Sequence, residues 1–258
     1  MFRELARLWR YRAAVSVLIG RELKARYRGA ALGFVWSVLN PLIFMAVYVL
    51  VFSVYLRIEV EKYPAFLLCG LLPWIWFSSS LIEASRSIID NRGLVKKVAL
   101  PSGIFPLVSI GSNLAHFLLS LPVLLVLLFA LGLPVSWPIV FFPAVLLVQF
   151  LLTFGIALAC AALAVRFRDM LQVVPNVLTL WFFVTPIFYS EQMVPPGFRG
   201  VLLLNPMAPL VMLYQDILYH RRAPDLLPLA FLLVLGVAVV VGGHLVFEAR
   251  REFFVEEI

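Results

Sequence analysis

Few residues in this chain could carry bond chemistry, and none is set out to do so. Ser112 and His116 stand one helical turn apart, a spacing at which side chains meet. No orienting acid accompanies them, so they read as a polar pair rather than a nucleophile and its base. His244 lies far along the chain; the apolar stretch around Thr153 offers no other hydroxyl, and no GxSxG motif exists. No GxxxxGK[ST] phosphate loop occurs, so ATP is not bound by that route. No His, Cys or carboxylate cluster has metal-ligand spacing. Cys69 and Cys160 sit in apolar stretches and read as small buried hydrophobes. No catalytic residue and no metal site is therefore expected.

The side chains that do form a pattern are aromatic. Phe44, Tyr48, Phe52 and Tyr55 fall within a quarter turn of one another at about 100° per residue. Trp181, Thr185, Phe188 and Tyr189 make a second such face. Stacked rings tipped with hydroxyls suit pyranose sugars, whose C–H faces pack on rings while their hydroxyls find polar partners. The competing reading is a lipid-facing surface or an interfacial belt. A belt sits at the two ends of a span, whereas the first stripe runs through the middle of its segment. Both faces are therefore read as channel lining.

The elements that must position these rings are six apolar segments: Phe34–Leu56, Tyr63–Ile82, Ile104–Leu131, Pro138–Val165, Leu171–Tyr189 and Leu226–Phe247. Each is near or above the roughly 20 residues that cross a bilayer, and none contains Asp, Glu, Lys or Arg. The chain as a whole is 63% hydrophobic and 14% charged, far from a soluble domain's balance. Transporters driven by protons or ions usually carry ionisable groups at mid-membrane. Energy for any transport here must come from another subunit. The prediction is an all-α integral membrane protein of six transmembrane helices in one domain, with residues 1–33 as an interface helix and hinge, 34–247 as the bundle and 248–258 as a tail.

The net charge of +7 is not a nucleic-acid footprint, because the basic residues cluster at span ends. Sixteen of the 21 Lys and Arg fall in the N-terminal segment, the gaps after spans 2 and 4, and the C-terminus. The positive-inside rule puts that side, with both termini, in the cytoplasm. The N-terminus is too basic over too great a length for a cleavable signal. Val15, Ile19 and Leu23 share one face of a helix, with Arg21, Lys24 and Arg28 opposite. Such a helix would lie on the inner membrane surface, its basic face toward lipid phosphates or a partner. Gly29 and Gly33 then let the chain bend into span 1. The Glu83–Gly103 gap holds Asp90, Arg92, Leu94, Val95, Lys96 and Lys97, and reads as a short cytoplasmic helix, either a solvated connector or a docking element for an ATPase. The gap from Ser190 to Asp225 is apolar in pieces too short to span. Pro195, Pro196, Gly197, Asn205 and Pro206 punctuate it, and it is expected to cap the outer face, as re-entrant or interfacial helices or as a hydrophobic loop packed on the bundle, and to gate it.

Several of these residues carry a family resemblance. Arg21-Glu22-Leu23-Lys24-Ala25-Arg26-Tyr27-Arg28, then Leu32-Gly33, Trp36 and Asn40-Pro41, resemble the approach to span 1 in ABC-2 type membrane subunits. Val165-Arg166-Phe167-Arg168-Asp169 resembles that family's inner loop after span 4. Thr185-Pro186-Ile187-Phe188-Tyr189, Met193-Val194-Pro195 and Asn205-Pro206-Met207 resemble its span-5 exit and outer segment. The nearest group is the exporters of O-antigen, capsule and teichoic acid. The resemblance implies a homodimer in the bacterial inner membrane, paired with two copies of a separate ABC ATPase that alone binds ATP and magnesium. It implies a coupling helix in the Glu83–Gly103 loop, outer gate helices and a lipid-linked polysaccharide as cargo. The alternatives are an ABC-2 permease for a small amphipathic or lipid-like molecule and, more remotely, a membrane enzyme or scaffold.

Overall fold

The computed structural model describes residues 11–27, 35–97, 101–251 and 254. Among them every regular element is helical. Helix α1 (Arg12–Tyr27) lies against the bundle. Helix α2 (Val35–Tyr48) continues as a π-helix (Val49–Tyr55). Then come α3 (Tyr63–Asp90), the short α4 (Arg92–Lys97) and α5 (Ile104–Ala130). A 3₁₀ turn (Trp137–Phe141) leads into α6 (Phe142–Arg166), followed by α7 (Met170–Val184). Two 3₁₀ turns (Glu191–Met193 and Pro196–Phe198) precede α8 (Arg199–Leu204). Helix α9 (Met207–Gln215) runs on as a π-turn (Asp216–His220), and α10 (Leu226–Arg251) ends the fold.

Helix α3 is the axis of the molecule, and most of its residues are buried. Pro64 in its first turn fits where no N–H partner is needed. At 28 residues and ~1.5 Å per residue it is about 42 Å long, well beyond a ~30 Å hydrocarbon core. Glu83, Arg86 and Asp90 therefore stand on its final two turns, past the expected span end at Ile82. Helices α5 and α6 flank it. Gln149 on α6 donates through Nε2 to the Pro73 carbonyl at 2.8 Å, and Trp76 donates through Nε1 to Ile110 on α5 at 3.4 Å. Helix α10 packs on α6 backbone to backbone: a Cβ added at Gly243 would lie 2.0 Å from the Gly155 carbonyl oxygen. Ordinary membrane helix packing uses small residues in this way.

Four helical segments are long and apolar enough to cross a membrane: Tyr63–Asp90, Ile104–Ala130, Trp137–Arg166 and Leu226–Arg251. The expected first and fifth spans are represented by shorter apolar helices, Leu39–Tyr55 and Met170–Val184. The fifth stops early for a local reason. Pro186 disfavours helical backbone in the residue before it, and Thr185 is extended at φ −94, ψ 134. The expected continuation to Tyr189 is thereby corrected: the helix ends at Val184. In the outer segment, Pro196–Leu202 and Met207–His220 meet at 99°, a broken or re-entrant element. Its second arm is deeply buried, Met207, Leu210, Val211 and Tyr214 showing no exposed surface. Gly70 on α3 makes room for it, since a Cβ there would meet Val211 at 3.0 Å and Gln215 at 3.1 Å.

Candidate functional site

A cavity of about 710 Å³ opens between α2, α3, α5 and α7. Trp36, Phe44, Tyr48, Trp74, Phe182 and Phe183 give it ring surfaces, and Asn40, Ser78, Ser79, Thr179, His116 and Ser120 give it hydroxyls, an amide and an imidazole. Arg26 from α1 and Asn113 from α5 also line it. The volume lies within the range that holds small organic ligands.

The two aromatic faces meet, though not as helical wheels alone would have it. Tyr48 lies 6.4 Å from Phe44 and 6.0 Å from Phe52, centroid to centroid. Tyr48 reaches Phe182 at 5.7 Å, and Phe52 stacks on Phe188 at 4.6 Å. The first stripe is thus continuous from Phe44 to Phe52. It then runs through the π-helix, whose wider turns change the angular step, and Tyr55 ends 68% exposed on the outside. Of the expected lining, only Phe44 and Tyr48 face the cavity.

The face of α7 that lines the cavity is Pro175, Leu178, Thr179, Phe182 and Phe183, spaced as one side of a helix. The face centred on Trp181 is one residue round from it. A wheel drawn through Thr185 to Tyr189 does not apply, because that stretch is not helical. Trp181 instead packs on Phe77 at 5.3 Å and donates its indole N–H to Asn205 Oδ1 at 2.5 Å. Thr185 is fully buried, donates to the Trp181 carbonyl at 2.8 Å and accepts from Asn205 Nδ2 at 3.0 Å. Asn205 Oδ1 also accepts the Met207 N–H at 2.9 Å, fixing the start of α9. Trp181, Thr185 and Asn205 are therefore a structural joint between α7 and the outer segment. Tyr189 turns its hydroxyl to the Val184 carbonyl at 3.1 Å. Pro195, Pro196 and Gly197 are exposed on the outer loop, and Pro206 is half-buried beside Asn205.

At the other end, α1 is fastened to the bundle by charge. Arg26 forms an ion pair with Glu83 and donates to Asn113 Oδ1 at 3.2 Å. Asn113 donates to the second Glu83 oxygen at 2.6 Å. Arg21 reaches Asn91, at the α3–α4 junction, at 3.3 Å. Beside them is a small cavity of about 210 Å³, lined by Arg21, Glu22, Glu83, Arg86 and Asp90 together with Leu18, Phe105 and Val108. Burial pushes the Glu22 carboxyl above the usual carboxylate range; the nearby Glu83 charge adds to this and Arg26 opposes it. The basic face of α1 thus divides: Arg21 and Arg26 turn to this chain, Lys24 is exposed, and Arg28 lies outside the described residues. On α4, Leu94 and Val95 are half-buried, Val95 against the chain's own core. Asp90, Arg92 and Lys96 are exposed, and the Lys97 side chain lies outside the described residues.

The Arg26–Glu83–Asn113 cluster was absent from the sequence reading, since it joins residues 57 and 30 positions apart and no periodicity links them. Ser78, Thr179 and Phe183 do leave a signal: Trp74 and Ser78, and Thr179 and Phe183, each recur at i, i+4.

The family pattern of ABC-2 type transporters matches residues 13–219, which takes in α1 through the π-turn after α9. Over all of both chains, 44% of residues are identical to the O-antigen export system permease protein RfbA of Myxococcus xanthus. A Klebsiella pneumoniae protein of the same name is 32% identical over 93% of each chain. The polysialic acid transport protein KpsM of Escherichia coli is 24% identical over 93% of this chain and 95% of its own. With three of its four long apolar helices, nearly all of its basic first helix and its bent segment before α10 inside the matched residues, this multi-pass membrane chain belongs to the ABC-2 type transporter family.

Proposed function

We propose that the chain is the permease subunit of an ATP-driven exporter that moves a lipid-linked polysaccharide across the bacterial inner membrane. The likeness to an O-antigen export permease, 44% identical and covering all of both chains, carries this reading. The ring-and-hydroxyl wall of the cavity fits it. Family membership implies an ABC ATPase partner; the finer reading is two protomers sharing two ATPase subunits, which alone bind ATP and magnesium. Six spans are formed by α2 with its π continuation, α3, α5, α6, α7 and α10, both termini being cytoplasmic. The exposed face of α4 with Asp90, Arg92 and Lys96 meets the ATPase, and the outer loop at Pro195–Gly197 gates the exit.

Deleting the gene tests the reading. The surface polysaccharide should disappear and its lipid-linked precursor accumulate on the cytoplasmic face, both reversed by the intact gene. A deletion strain that displays normal amounts of surface polymer contradicts it.

A further inference from the structure

We infer that the cavity selects uncharged sugar units and disfavours acidic ones. The inference rests on the polysaccharide-export reading and adds the charge class of the glycan. Among the described residues that line the cavity, Arg26 is the one cation. It is already neutralised, ion-paired with Glu83 while Asn113 bonds to both partners. A carboxylate on an incoming sugar would have to compete with Glu83 for Arg26, and one of the two carboxylates would be left without its cation. The rest of the wall points the same way. The rings of Trp36, Tyr48, Trp74 and Phe182 add apolar aromatic surface, on which sugar C–H groups can pack and which brings no positive charge to an anion. Ser78 and Thr179 spend their hydroxyl hydrogens on the Ile75 and Pro175 carbonyls and so offer acceptors, which suit a sugar's O–H groups and not a carboxylate, while Ser79 and Asn40 can both donate and accept. Glu83 is thus a positioning residue: it sets the charge of the wall through Arg26 and does not itself line the cavity.

Three tryptophans at the cavity, Trp36, Trp74 and Trp76, allow a binding test on the purified full-length chain in complex with its ATPase. Maltohexaose and hexagalacturonate, equal in length and opposite in charge class, are titrated against tryptophan fluorescence. The neutral oligomer should change the signal saturably, and the acidic one should bind at least about tenfold more weakly. Glu83→Gln frees Arg26 and should narrow that ratio, and the double variant R26Q/E83Q should restore it. A role of Glu83 in folding alone would not move the ratio in opposite directions. Equal binding of the two oligomers by the parental complex overturns the inference, as does an unchanged ratio in Glu83→Gln or binding of neither. Export of the cell's own polymer is scored separately by gene deletion, so loss of charge selection leaves the export reading standing.

Discussion

Asn205 holds four partners with one side chain: the Trp181 indole, the Thr185 hydroxyl, the Val184 carbonyl and the Met207 backbone N–H. Asn205→Ala leaves buried polar groups unmade at about 1–3 kcal/mol each. Its thermal unfolding midpoint in detergent should drop well below that of Pro195→Ala in the exposed loop, and equal midpoints would refute the joint. Tyr48 and Phe182 belong to the cavity wall, so replacing both with Ala should slow export while leaving assembly with the ATPase intact. Pull-down and surface-polymer assays separate the two effects. The first stripe was legible because Phe44 and Tyr48 are one turn apart on an uninterrupted helix. The second was misplaced because the wheel was carried past Val184, where Pro186 ends the helix. Arg26 could be read only as one more basic residue, since its meaning depends on Glu83 from a different helix.

Among the elements, the α6–α10 crossing is the tightest. A Cβ on Gly243 would strike the Gly155 carbonyl at 2.0 Å, whereas one on Gly242 meets nothing within 4 Å. Gly243→Ala should destabilise by about 1–3 kcal/mol and Gly242→Ala very little, measured as thermal midpoints in nanodiscs. Span 4 carries a run of small residues, Gly155, Ala157, Ala159, Ala161, Ala162 and Ala164, a composition that suits close helix packing; it does not say which helix is met, because span 6 offers several glycines. Helix α4 follows similar logic. Val95 packs on the chain's own core, while Arg92 and Lys96 stay outside, next to the exposed Asp90 that ends α3. Reversing the charges of Arg92 and Lys96 should weaken pull-down of the ATPase more than Leu94→Ala does, and equal retention would remove α4 from the interface. The outer segment's buried arm was not legible as buried: its apolar spacing suits a membrane surface equally, and only the gap left by Gly70 shows that α9 goes inside.

For the molecule as a whole, hydropathy and Lys/Arg placement predicted the ends of spans 3, 4 and 6 to within a few residues. Long uninterrupted apolar runs flanked by charge leave little choice. The first and fifth segments are less regular because π-turns and prolines interrupt them. Single cysteines at Glu59 and Val135 should react with an impermeant reagent from outside intact cells, and one at Arg92 should not. Labelling at Arg92 would invert the orientation. The most direct test of transport uses inside-out membrane vesicles carrying this chain and its ATPase. Radiolabelled lipid-linked polymer is supplied outside, and protection from an added glycosidase is followed with time. ATP should bring protection that a non-hydrolysable analogue does not, and vesicles without this chain should show none. Full ATP hydrolysis with every polymer chain still open to the glycosidase would contradict a polysaccharide permease.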